Sequence, residues 1–313
     1  MEMETEILVL IGQMEILAVL ILIGLFAQKS GLMNETNINS MSDIIAKLIL
    51  PCMLFTMIGG GGTRDELFGM WKFLIACILL FVIAISVGFI LSRIIGLSQP
   101  AKNMHILVTA FGNGGYVGIP VIAAMFPDNS GLAIAVYSMV EAVVYWVFGP
   151  MIVDTSGSRK IDLKKVFTPL TISVLLGILV LLLNLKPENN VVWDTLSNVG
   201  STTKYFAAIY IGLDLGRKGL KKMAANPKVF TAVPFKLVIL PVIIYLVFGK
   251  TGFIEGDLLT MLVLFMATPT GMSLPIVARI AGSDDAYATS GTMVCTILCL
   301  FTMPFVLWLI SHF

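Results

Sequence analysis

Ten apolar stretches separated by short polar turns run along the chain, near residues 7–27, 43–58, 72–95, 104–126, 130–153, 166–185, 193–213, 228–248, 258–280 and 285–311. Several reach the roughly 20 residues an α-helix needs to cross hydrocarbon. The second and seventh are shorter or more polar and are accepted on the charge of their flanking loops. Two stretches are interrupted. The fourth reads Phe111-Gly-Asn-Gly-Gly-Tyr-Val-Gly-Ile-Pro120 and the ninth Ala267-Thr-Pro-Thr-Gly-Met-Ser-Leu-Pro275. A proline inside a helix removes a backbone bond at a cost of about 3 kcal/mol, and clustered glycines add to it. Breaks of this kind at membrane depth need protein or a water-filled cavity around them.

Composition fixes the class: 58% hydrophobic residues, 12% charged and a mean hydropathy of +0.96 predict an all-α integral membrane protein. A net charge of +1 without a basic, aromatic-interleaved patch gives no sign of nucleic-acid binding. Glu2, Glu4 and Glu6 stand where a signal peptide would be basic, so none is expected. Cys52, Cys77, Cys295 and Cys299 lie in apolar stretches without metal-ligand spacing and read as small core residues.

Loop charge orients the spans. With the N-terminus outside, thirteen Lys and Arg fall on inner loops and four on outer loops, a bias that puts both termini outside. Gly24 and Gly177, Pro120 and Pro275, and Pro150 and Pro304 recur at offsets of 153 to 155 residues, with the broken stretch fourth of five in each half. Five is odd, so a duplicated second half lies upside down relative to the first. The expected organisation is a five-helix repeat at 1–155, a short cytoplasmic connector at 156–165 and an inverted repeat at 166–313.

Gly24 and Lys29-Ser-Gly-Leu32, followed by Leu50-Pro-Cys-Met-Leu-Phe55, the Asn113 to Pro120 break, Tyr145-Trp146 and the Ala267 to Pro275 break together resemble the auxin efflux carrier (PIN-type) family. The resemblance spans essentially the whole chain and points to a prokaryotic-type member with a short central loop. It implies the bile acid:sodium symporter-like fold of two inverted five-helix repeats with broken crossover helices 4 and 9, and a homodimer. It further implies a scaffold of spans 1, 2, 6 and 7 and a transport domain of spans 3–5 and 8–10 that moves like an elevator. The substrates it implies are small organic anions such as auxin or malonate, carried across the plasma membrane.

The residues carry their own chemistry. Half-helices starting near Gly118 to Pro120 and Leu274 to Pro275 would aim free N–H groups and a partial positive charge at one cavity, which suits a carboxylate. The opposite half-helix ends near Asn113 and Thr268 offer carbonyls. With the Asn113 amide and the Thr268, Thr270 and Ser273 hydroxyls, these can hold a cation or orient an anion. The candidate substrate site is Asn113, Gly114, Gly115, Tyr116, Gly118, Pro120, Thr270, Gly271, Met272, Ser273 and Pro275, with Glu141 and Thr268 as candidate ion-coupling residues for H⁺ or Na⁺. Two proline-kinked helices packed through glycine are the plainer alternative.

Glu141 is read as the acid placed well inside a span, where charge costs about 2.5 to 3.5 kcal/mol on insertion scales. It either exchanges a proton or cation with the cavity or makes a structural hydrogen bond; the plant PIN-type carriers are expected to have an amide near this position. Lys47 and Lys236 are expected to snorkel to the headgroups, Lys204 to meet an approaching anion, and Asp214 to be solvated. No phosphate loop, dinucleotide fingerprint or catalytic constellation is present, so neither an enzyme nor a cofactor or structural metal is expected. A channel or ligand sensor on the same fold is the alternative to a carrier.

Overall fold

The computed structural model describes residues 2–153, 163–185 and 190–313. Most of the expected connector, and Arg159, Lys160 and Lys186 of the charge count, lie outside them. We name thirteen helices: α1 (Glu2–Lys29), α2 (Glu35–Gly60), α3 (Trp71–Ile94), α4 (Ala101–Ala110), α5 (Gly114–Met125), α6 (Ser130–Val153), α7 (Pro169–Leu182), α8 (Val191–Ser201), α9 (Thr203–Lys218), α10 (Pro227–Phe248), α11 (Gly256–Ala267), α12 (Leu274–Ile280) and α13 (Asp285–Ile310). Six of them, α1, α2, α3, α6, α10 and α13, are long and apolar enough to cross a membrane. The fourth apolar stretch is divided into α4 and α5, the seventh into α8 and α9, and the ninth into α11 and α12.

Proline sets the local geometry of four helices. Pro51, Pro120, Pro150 and Pro241 each follow a five-residue π-helical turn, at Ile45–Ile49, Gly114–Gly118, Val144–Phe148 and Phe235–Ile239. A proline ring crowds the carbonyl four residues back and offers that carbonyl no N–H. The turn widens instead, so that Leu50 donates to the Ile45 carbonyl, Ile119 to Gly114 and Leu240 to Phe235. Wide turns of this kind collect at functional sites. α5 therefore begins at Gly114, four residues before the start expected from the sequence.

Glycine sets the packing. A Cβ on Gly24 would lie 2.0 Å from the Ile209 carbonyl oxygen, and one on Gly212 would lie 2.0 Å from that of Ile21, so α1 and α9 touch backbone to backbone through reciprocal glycines. Gly59 of α2 and Gly177 of α7 mark a second close crossing, where Gly59 faces the Val180 and Trp193 side chains and Gly177 the Phe55 carbonyl and the Ile58 side chain. Gly24 and Gly177 are 153 residues apart, and so are Gly59 and Gly212. One offset thus exchanges the α1–α9 contact with the α7–α2 contact. These helices form one packed group with α8, while α3 to α6 and α10 to α13 pack around the two breaks. Behind the breaks, Tyr137 stacks on Phe265 at 3.7 Å and Phe81 packs on both Phe111 and Tyr137.

Three sequence expectations change. Lys236 is not at the headgroups but 0% exposed in the π turn of α10. Asp214 is not solvated: it is 2% exposed and paired with Arg217 and Lys218 of the next turn. Glu141 is not alone, because the exposed Glu15 stands near the middle of α1. Lys47, by contrast, reaches the surface and pairs with Asp43 at 2.9 Å.

Close backbone contact makes a specific prediction. Gly24→Val or Gly212→Val should lower the unfolding temperature in detergent, at a cost of about 1 to 3 kcal/mol from overpacking. Gly12→Ala on the same helix has nothing within 4 Å of its new methyl and should unfold at or above the wild-type temperature. Equal melting of all three would show that α1 and α9 do not meet through these glycines.

Candidate functional site

Chain breaks inside a membrane leave backbone amides and carbonyls without helical partners, and each must find another. Here the two breaks satisfy each other. Gly112 and Thr270 pair as a short antiparallel bridge, with the Asn113 N–H donating to the Pro269 carbonyl at 2.6 Å and the Gly271 N–H to that of Phe111 at 3.3 Å. The Thr270 hydroxyl, from the second break, donates to Val108 in the last turn of α4 at 3.0 Å. On α11, the Thr268 hydroxyl donates to Phe265 at 2.7 Å and the Lys236 ammonium to Met266 at 3.0 Å. Only glycine fits at 112, because a Cβ there would lie 2.1 Å from the Thr268 hydroxyl.

This crossover forms one wall of an open cavity of about 360 Å³, lined elsewhere by α2, α6 and the start of α7. Asn113, Gly114, Gly115, Tyr116, Gly271, Met272, Ser273 and Glu141 line it. Gly118 and Thr268 pack against each other instead, and Thr268, Thr270 and Pro275 are buried. The Thr268 and Thr270 hydroxyls are spent on carbonyls at the ends of the half-helices. Pro120 faces smaller cavities between α5, α1 and α9, where Lys204 lies. Leu50, Ser138, Tyr145, Trp146 and Thr168 also line the main cavity and were not singled out as site residues from sequence. The signal for part of this set was available: Pro51 and Pro150 follow the π turns that turn Lys47, Tyr145 and Trp146 toward it.

The polar atoms facing the cavity have a consistent character. Asn113 caps α5, its side-chain oxygen accepting from the Tyr116 N–H at 3.3 Å, which fixes the amide so that its NH₂ is the free end. That nitrogen is buried without a partner, and so is the Ser138 hydroxyl across the cavity. Tyr145 and Ser273 share a hydrogen bond at 2.7 Å that ties α6 to the second break, with the Tyr145 ring edge-on to Phe111. Glu141 accepts from the Tyr137 hydroxyl at 3.3 Å, and its other oxygen lies 2.6 Å from where Gly114 would carry a Cβ. Asn113 and Ser138, each with a buried polar atom lacking a partner, therefore line an otherwise largely apolar space that Glu141 also lines.

The sequence profile described as "Membrane transport protein" matches residues 9–162 and 156–307, nearly all of the chain. An "Uncharacterized transporter" of Methanocaldococcus jannaschii is 28% identical over 223 residues, covering 66% of this chain and 69% of the relative. A Rhizobium meliloti protein with the printed name "Putative malonate transporter" is 22% identical over 285 residues, 86% of each chain. An "Uncharacterized transporter" of Methanothermobacter thermautotrophicus is 21% identical over 295 residues, 93% of this chain and 94% of its own. With its multiple apolar helices and paired breaks, the chain belongs to the membrane transport protein family, the auxin efflux carrier family that its motifs resemble.

Proposed function

We propose that the protein is a secondary carrier of a small organic anion, with its binding site at the crossover of α4–α5 and α11–α12. The observation that carries this reading is the pair of buried donors without partners, Asn113 Nδ2 and Ser138 Oγ, on two residues that line one cavity. Leaving a buried donor unmatched costs about 1 to 3 kcal/mol, and a carboxylate offers the acceptors both lack. The Rhizobium relative's name makes malonate the first solute to try.

On this reading the chain forms ten spans in two inverted repeats and works as a homodimer. Its support is the single offset that exchanges the α1–α9 and α2–α7 contacts. The group α1, α2, α7, α8 and α9 is the scaffold, and the helices around the breaks move past it as an elevator. The cavity reaches the end of the molecule that carries Lys47 and Thr168, which loop charge assigns to the cytoplasm, so this is an inward-facing state. Exposed Asp128 and Ala225 test the topology. Cysteines placed there should label from the outside and the inside respectively; labelling from one side would overturn the ten-span arrangement.

Asn113→Ala should weaken binding of the carboxylate that best stabilises the wild type in a thermal-shift panel begun with malonate. The expected loss is about 1 to 3 kcal/mol, or roughly 5- to 150-fold in calorimetric affinity. Retained affinity would remove the site from the crossover, and a panel without any stabilising carboxylate would overturn the anion reading.

Glu141 gives the carrier its coupling. An ionised carboxylate and an anionic substrate repel in one apolar cavity, so the anion binds together with a proton on Glu141. Tyr137, Tyr145, Cys77 and Lys236 are the titratable groups in electrostatic reach of it. For a carboxylate that stays ionised throughout the range, wild-type affinity should rise as pH falls. Glu141→Gln, which mimics the protonated form, should bind with the same affinity at every pH. A mutant that keeps the wild-type pH slope would mean that the proton sits elsewhere.

A further inference from the structure

Lys236 is among the largest fully buried side chains in the protein, 0% exposed. It lies in the π turn of α10, between Pro234 and Pro241. A buried ammonium without compensation is costly, and an ionisable residue at membrane depth is retained when it serves a function. The hydrogen bond of this ammonium goes to the Met266 carbonyl, one of the carbonyls that α11 leaves unmatched at its broken end. Positive charge is favoured there by the helix dipole as well. On its other side the nitrogen lies 3.5 Å from the position a Cβ on Gly112 would take, and Gly112 lines the cavity. The ammonium is therefore one backbone thickness behind the cavity wall. Glu141 stands two residues along the same strand, against Gly114. The segment Gly112-Asn113-Gly114 thus runs between a fixed positive charge and a carboxyl group, with the free amide of Asn113 between them.

We propose that the Lys236 ammonium is a tethered cation of the crossover: it occupies the place where a free monovalent cation would hold the end of α11, and its charge acts through the Gly112 backbone on an anion bound at Asn113. A flexible four-carbon stem carrying a compact charge is suited to this, since it delivers the cation without an ion having to bind and leave. Lys236 is a positioning residue in this scheme, because it touches the helix end and not the substrate.

The proposal rests on the carrier reading only in its second half, and the test separates the two. Unfolding temperatures are measured for purified wild type, Lys236→Ala and Lys236→Met in methylammonium, sodium and tetramethylammonium chlorides at equal ionic strength. Wild type should melt alike in all three. Lys236→Ala, which empties the position, should melt several degrees lower in tetramethylammonium, a cation with no N–H to donate, and recover at least half of that loss in methylammonium. Lys236→Met fills the volume without charge and should stay low in every salt. An alanine variant that folds only when purified in methylammonium would support the proposal, and one that folds in neither salt counts against it. The proposal is overturned if methylammonium does no more for Lys236→Ala than tetramethylammonium does, or if Lys236→Met melts with the wild type. None of these arms needs a transported solute. In addition, Lys236→Met should bind malonate, or whichever carboxylate stabilises wild type, at least tenfold more weakly. If no carboxylate binds wild type, the carrier reading fails while the melting temperatures still decide the tethered cation.

Discussion

The constraint on which the structure depends is that backbone polar groups cannot go unmatched in hydrocarbon. The helices of the fourth and ninth apolar stretches are interrupted by glycine and proline, and each interruption leaves carbonyls on one half-helix and amides on the next. The bridge between Gly112 and Thr270 removes most of that cost by turning each break into the other's partner. Thr270 takes a carbonyl of α4, Thr268 and Lys236 take carbonyls of α11, and Asn113 caps α5. Thr268, expected from sequence to couple an ion, and Thr270, expected to bind substrate, serve as caps of this kind. Asn113 Nδ2 and Ser138 Oγ, on two residues that line the cavity, are left without a protein partner.

Around this crossover the local rules are simple. Each of four prolines is preceded by a wide turn, and those turns carry Lys47, Gly114 to Tyr116, Tyr145 and Trp146, and Lys236. Proline widens the helix and so rotates the preceding residues off the regular helical face, which is how a span made largely of apolar residues turns polar or aromatic side chains toward one cavity. Elsewhere glycine allows the opposite extreme, backbone contacts between α1 and α9 so close that a Cβ on Gly24 or Gly212 would lie 2.0 Å from a carbonyl oxygen. Close glycine contacts mark one group of helices and a hydrogen-bonded crossover the other, with the main cavity lined by the crossover, α2, α6 and the start of α7.

Much of this was legible along the chain. Apolar runs with basic loops define a multi-pass membrane protein because hydrocarbon selects for length and charge that a sequence displays directly. The two breaks are visible because glycine and proline act on the backbone whatever surrounds them. The family follows from motifs that are local, Leu50 to Phe55 and the two breaks among them.

Facing directions were not legible, because they depend on which helix packs against which. Lys47 and Lys236 look alike in sequence, a lysine four or five residues before a proline in an apolar run, yet one pairs with Asp43 at the surface and the other is sealed behind Gly112. Asp214 appears to be a solvated helix end until Arg217 and Lys218 fold over it. Thr270 and Ser273 are three residues apart, but one caps a helix of the other break and the other meets Tyr145 at the cavity. Sequence determined that the chain must break at Phe111–Pro120 and at Ala267–Pro275, since that is a property of the backbone. Only the tertiary structure decided which side chains close the broken ends and which are left without a protein partner, since a carbonyl is matched by whatever donor packing brings within about 3 Å.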